Sequence, residues 1–153
     1  MRILLTGAFG NVGLSALEEL LARGHQVRCF DLKTPANLRV ARRYARKVEI
    51  AWGDLRSKED VAAAVRDVDV VIHLAFILPR LSACGVESEK EPVLARQVNV
   101  GGTRTLIRAM RAQPIPPRLI FSSSLHVYGM TQHLPSPRTV EERPHPVEHY
   151  ARH

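Results

Sequence analysis

Several things are scarce in this sequence, and each scarcity excludes something. Of 153 residues only two are cysteine, Cys29 and Cys84, too few for a disulfide framework. Cys29 falls within an apolar, strand-like run and reads as a small core residue. Aromatic residues make up 5%. The longest apolar run, around Val70 to Leu78, is about seven or eight residues and is interrupted by His73. Roughly 20 are needed to cross a bilayer, so no membrane segment is expected. The N-terminus carries one Arg before a strand-like run, with no small-residue cleavage site. No signal peptide is read, and a cytoplasmic protein is expected. Acidic residues are outnumbered, 15 to 22, leaving a formal charge of +7. The basic residues are spread along the whole chain, however. The densest group, "RVARRYARK" (Arg39 to Lys47), reads as a solvated helix face rather than a nucleic-acid surface.

What is present is alternation. "RILLTG" is a short buried strand, and "NVGLSALEELLARG" carries Val12, Ala16, Leu17, Leu20 and Leu21 at helical spacing, with Gly24 closing the helix. "QVRCFD" is a second strand. A basic stretch opened by Pro35 precedes a third, "VEIAWGD". "SKEDVAAAVRD" is a helix capped by Ser57, with Asp60 three residues on. "VDVVIHLA" is a fourth strand, Glu89 to Ala112 a long helix, and "PPRLIFSSS" a fifth strand. Pro92 fits only in the first turn of that long helix or before it. Residues 134 to 146, rich in proline, read as an ordered loop. Strands alternating with helices imply an α/β fold, a doubly wound parallel sheet of Rossmann type, order 3-2-1-4-5, with helices on both faces. Its ligand crevice lies at the carboxyl ends of the strands, near the first and fourth. The outer edge of the fifth strand would be a pairing hazard.

Chemistry collects at that end. In "TGAFGNVG", Gly7, Gly10 and Gly13 stand between strand and helix: the first for the turn, the second for close approach of a diphosphate, the third for helix–strand packing. The helix N-terminus offers free N–H groups to an anion, and Phe9, Asn11 and Val12 share that loop. Asp31 ends the second strand, where a carboxylate can accept from an adenosine ribose and repel a 2′-phosphate. NAD is therefore expected ahead of NADP, with Lys33 nearby as a residue that could serve a phosphate. Asp54 and Leu55 follow the third strand, beside the expected adenine.

These residues, with "RGHQVRCFD", "WGDL", "VIHLA", "VNVGGT", "FSSSLHVYG" and "PVEHY", resemble the extended short-chain dehydrogenase/reductase family, in particular its NAD-dependent nucleotide-sugar epimerases and dehydratases. The resemblance implies that Leu74 and Ala75 line the cofactor and that Asn99 lies near the active site. It implies that Ser122 and Ser123 border the nicotinamide, that Ser124 is the catalytic hydroxyl and that Tyr150 is the catalytic tyrosine. The implied substrate is a sugar nucleotide or another small hydroxyl compound, and a homo-oligomer is possible. The family pattern also requires a lysine four residues after the tyrosine, on the same helix face, where its charge favours the phenolate. Only three residues follow Tyr150. Residues 1–153 are thus expected to be the truncated front part of an enzyme: an NAD-binding domain without its C-terminal substrate domain, weakly active or inactive alone.

Alternatives remain open: a non-catalytic NAD-binding module, or a dehydrogenase of a hydroxysteroid or other secondary alcohol. An acidic residue beside the active serine, common in dehydratases, is replaced by Leu125 and His126, which tilts toward epimerase or simple dehydrogenase. Other candidates are weaker. His145, His149 and His153 repeat every four residues, a spacing that can bind metal, but they lack an accompanying acid or cysteine cluster and read as solvated. No metal site is expected. His73 reads as a satisfied core or crevice histidine. Tyr128 reads as packing. Ser122 to Ser124 with His126 lack the nucleophile-elbow pattern.

Overall fold

The computed structural model of the chain describes residues 1–80, 85–130, 133, 137 and 139–153. Cys84 and part of the proline-rich loop over 134 to 146 lie outside the described residues.

Five strands form one parallel sheet: β1 (Arg2–Thr6), β2 (Gln26–Asp31), β3 (Glu49–Trp52), β4 (Val70–His73) and β5 (Arg118–Phe121), in the order β3-β2-β1-β4-β5. This is the expected doubly wound arrangement. The central strand β1 is apolar at every position after Arg2 except Thr6, as a strand covered on both faces should be. Its residues alternate between two cores. Leu4 faces Val71, Leu106 and Met110, while Leu5 faces Leu17, Cys29 and Ala41. The pairing register places Leu5 beside both Cys29 and Ile72, so one pleat carries a continuous apolar row across three strands.

The helices follow their caps. α1 (Asn11–Ala22) ends at Arg23, with Gly24 just beyond at φ +74°. α2 (Pro35–Ala41) has Pro at its first position and Thr34 as its cap, the Thr34 side chain accepting from the Asn37 N–H. α3 (Lys58–Ala64) is capped by Ser57, which accepts from the Asp60 N–H. The reciprocal arm of that box departs from expectation. Asp60 reaches past Ser57 to accept from the Asp54 N–H at 3.0 Å, and so fastens the turn after β3 to the helix.

The long helix differs from the sequence expectation. It does not begin at Glu89. That residue lies in a turn, and helix α4 runs over Pro92–Arg96 with Glu91 as its cap. Pro92 has no N–H to give and so takes the first position. The helix then widens into a π segment over Gln97–Gly102 before continuing as α5 (Thr103–Arg111). Such a bulge often marks a functional site. The last helix, the one that carries Tyr150, is a single turn, α6 (His149–Arg152).

Candidate active site

A cavity of about 390 Å³ opens at the carboxyl ends of the strands. One side is the turn from β1 into α1. Gly7 adopts φ +66°, and a side-chain carbon there would meet the Ala75 backbone at 2.8 Å. At Gly13 the same atom would fall 2.0 Å from the Gly7 carbonyl oxygen. Only glycine fits at either place, because the obstacle is backbone. Gly10, Asn11 and Val12 also line the cavity, and α1 starts without any side-chain cap. Its first N–H groups, with the positive end of the helix dipole, are left to face an anion.

Asp31 organises the next wall. One carboxylate oxygen accepts the Phe9 N–H at 2.9 Å, and the other accepts from the Leu32 N–H (2.8 Å) and Asn37 Nδ2 (3.0 Å). Burial pushes the carboxyl pKa up, against the lowering effect of those three donors. A carboxylate has about four acceptor sites, so three donors leave it room for one hydroxyl donor in the cavity. Asn37 was not singled out from the sequence, yet it is buried and bonds both Asp31 and the Leu32 carbonyl. Its signal was modest: a polar residue three positions after a capping Thr. Phe9 itself is buried against Trp52, so what it gives the site is its backbone. Lys33 is exposed and does not line the cavity. Asp54 and Leu55 do line it, and Asp54 is held by the Arg56 guanidinium, which lowers its pKa.

The floor is set by a buried relay. Thr6 Oγ1 accepts the N–H groups of Leu74 and Ala75, each at 3.2 Å, and sits 2.7 Å from His73 Nδ1. With both lone pairs used, the Thr6 hydroxyl donates its proton to Nδ1. His73 then carries its proton on Nε2 and donates to Thr103 Oγ1 at 2.9 Å, and Thr103 in turn donates to the Asn99 carbonyl. Burial holds the His73 pKa down to about 4, so this histidine is neutral and satisfied. Leu74 and Ala75 line the cavity from the end of this relay.

Asn99 lies in the π segment, 1% exposed. Its Oδ1 accepts the Ile77 N–H at 2.7 Å and its Nδ2 donates to the Ile77 carbonyl at 3.0 Å. The amide is spent on backbone and does not line the cavity. Asn99 shapes the wall through Ile77, which does line it.

The far wall carries Ser122, Ser123 and Tyr150. The Tyr150 ring meets Phe76 edge-on at 6.4 Å and His126 at 5.7 Å. Ser124 does not line the cavity. It caps a 3-10 turn over Leu125–Tyr128, its Oγ accepting the His126 N–H at 3.3 Å, which leaves its own proton to donate. Among the described residues no group of three His, Cys, Asp or Glu side chains is placed to hold a metal.

The sequence matches a family over residues 3–153, that of the NAD dependent epimerase/dehydratase proteins. The chain belongs to that family. One similar relative is a UDP-glucose 4-epimerase of Klebsiella pneumoniae, 33% identical over 141 residues, covering 88% of this chain and 97% of that one. Another is a 3-beta-hydroxysteroid dehydrogenase of Mycolicibacterium neoaurum, 34% identical over 123 residues, covering 80% of this chain and 32% of the relative. A solved UDP-glucose-4-epimerase from Stenotrophomonas maltophila, with bound NAD and formylated UDP-arabinopyranose, superposes with TM-score 0.83 at 30% identity. It covers 99% of this chain and 45% of its own. The chain therefore spans about a third of the curated dehydrogenase and under half of the solved epimerase. The cavity, the glycine-rich turn and the 3-2-1-4-5 sheet all fall within the matched part of the epimerase/dehydratase family.

Proposed function

We propose that residues 1–153 form the NAD-binding domain of an epimerase or dehydrogenase acting on a hydroxyl-bearing substrate, a sugar nucleotide first. The observation that carries this reading is that one cavity is shared by the Gly7–Gly13 turn, Asp31 and Tyr150. A pure nucleotide binder has no need of a phenol on the wall opposite its diphosphate turn.

The residues fit the cofactor. The uncapped start of α1 would hold the diphosphate, Asp31 the adenosine ribose, and Asp54 and Leu55 the adenine side. Ser122 and Ser123 would border the nicotinamide. When bound, NAD supplies a hydride acceptor. Tyr150 would take the substrate hydroxyl proton and Ser124 would donate a hydrogen bond to the substrate oxygen. Asp31 favours NAD over NADP, since a 2′-phosphate would meet its carboxylate. Among the described residues, the basic side chains lining the cavity are His73, spent in its relay, and Arg56, paired with Asp54. Neither of these side chains is free to assist Tyr150, so slow turnover is expected of these residues alone. The substrate and its specificity would lie with a further domain.

Calorimetry with NAD tests the reading. Binding to the chain that disappears in Gly10→Arg and weakens in Asp31→Ala supports it; no binding to a folded sample overturns it. The likeness to a hydroxysteroid dehydrogenase favours a second reading, a secondary-alcohol dehydrogenase with the same Ser124 and Tyr150 roles. Substrate-dependent NADH release with a hydroxysteroid, but none with a UDP-sugar, would select it.

A further inference from the structure

We propose that Glu89 is a positioning residue for Tyr150: its carboxylate, from a turn sixty residues away in sequence, caps the helix that carries the tyrosine. This rests on the reading of Tyr150 as the base.

Four-residue helices do not hold themselves in water, so α6 needs its free N–H groups satisfied from outside. Its own capping residue does not do so. Glu148 makes no side-chain cap bond, because its carboxylate is turned to His126 Nδ1 at 2.8 Å. Glu89 takes the place left open. Its Oε1 accepts the Tyr150 N–H at 3.0 Å and its Oε2 accepts the His149 N–H at 3.3 Å. Two oxygens of one carboxylate thus meet two successive N–H groups, an anion at the positive end of a helix.

Glu89 is itself tied to the cavity wall. Ser88, fully buried, donates its hydroxyl to Glu89 Oε1 at 3.3 Å, and its N–H donates to the Leu78 carbonyl at 2.9 Å. Leu78 lines the cavity, and its neighbour Ile77 is clamped by Asn99. A continuous chain of bonds therefore runs from the wall through Leu78, Ser88 and Glu89 to the backbone of Tyr150. The ring lies against Phe76 and His126 at its other end. Glu89 fixes where the tyrosine is hinged, and those rings fix how it leans. Burial acts against the Glu89 charge, but the N–H donors of Tyr150 and His149 outweigh it, and the carboxyl pKa is held below its usual value.

The test uses the 153-residue chain with labelled backbone nitrogen and tyrosine ring carbons, the ring signal assigned with Tyr150→Phe. Glu89→Ala and Glu89→Gln are compared with the parent by amide exchange, by the NAD-induced shift of the Tyr150 ring, and by NAD calorimetry. Charge-assisted bonds of this kind carry enough free energy that Glu89→Ala should speed Tyr150 amide exchange about 10-fold or more. The NAD-induced ring shift should be lost while NAD affinity stays within about 2-fold, since Glu89 lies outside the groups that bind it. Glu89→Gln keeps one acceptor oxygen and should restore part of both signals, which a merely structural loss would not show. Unchanged Tyr150 exchange and ring shift in Glu89→Ala, with NAD bound normally, would overturn the positioning role and leave the functional reading standing. Failure of the parent chain to bind NAD would instead sink the functional reading.

Discussion

At the scale of single residues, the site depends on side chains whose polar groups are spent on holding its walls. Asn37 is one. Its Nδ2 bonds both the Asp31 carboxylate and the Leu32 carbonyl. Asn37→Leu would remove one of the three donors that hold the Asp31 carboxylate and break its bond to the Leu32 carbonyl. NAD affinity should fall by about 10-fold, the worth of one hydrogen bond to a charged group, as read by calorimetry. His73 is another. Its folded pKa, about 4, lies below the ordinary histidine value of 6.5. Between those values the unfolded chain binds a proton that the folded chain refuses, so stability rises with pH there. It is fully present above about pH 6.5 and is lost as pH falls toward 4, to the extent of roughly 3 kcal/mol. Asp31, whose carboxyl pKa is raised, contributes in the opposite sense. Urea unfolding of the parent and of His73→Asn from pH 7 to pH 4 isolates the histidine: the variant should show a flatter profile. Equal slopes would mean His73 is not held neutral.

At the scale of elements, the close contact of α1 with β1 depends on Gly13. The obstacle to a larger residue there is the Gly7 carbonyl oxygen, not a movable side chain. Gly13→Ala should cost about 1–3 kcal/mol by overpacking and displace the N–H groups that face the anion. Both a lower unfolding midpoint and weaker NAD binding are expected. A variant as stable as the parent would show that α1 can move away freely. The π segment is a second such element. It turns Asn99 inward onto Ile77, a placement that the spacing of "VNVGGT" does not reveal, because a regular helix would carry the amide to another azimuth.

On the scale of the whole molecule, both faces of the sheet are covered, but β5 is an edge strand with Ile120 and Phe121 49% and 46% exposed. Edges of this kind invite pairing with another chain. Ile120→Lys should reduce concentration-dependent association in sedimentation experiments without weakening NAD binding. If the parent is already monomeric at high concentration, the edge is not being used. Ligand linkage also acts on the whole fold. At 100 times its dissociation constant NAD should add about 2.7 kcal/mol of stability, or roughly 5–10 °C in midpoint for a domain of this size. Asp31→Ala should diminish that rise.

The strand order, the glycine turn, the carboxylate ending β2 and the capped helix after β3 were legible in the sequence, because each depends on local rules: apolar period, turn chemistry and side-chain caps act over a few residues. That Gly7, Gly10 and Gly13 serve one turn needs no partner from elsewhere in the chain. What lies between distant segments was not legible. Nothing in the residues around Thr6 or Thr103 announces that His73 links them, nor that Asn37 steadies Asp31. The start of the long helix is hidden for the same reason. Glu89 looks like a good first-turn residue, but tertiary structure uses its carboxylate for another helix, one whose own cap is engaged with His126. Backbone N–H groups must be satisfied by something, and only the folded arrangement decides which carboxylate reaches them. Sequence alone therefore determined the architecture and the glycine turn and carboxylate that line its crevice. The tertiary structure decided which buried polar groups hold that crevice in shape, because those bonds form between residues that the chain brings together only by folding.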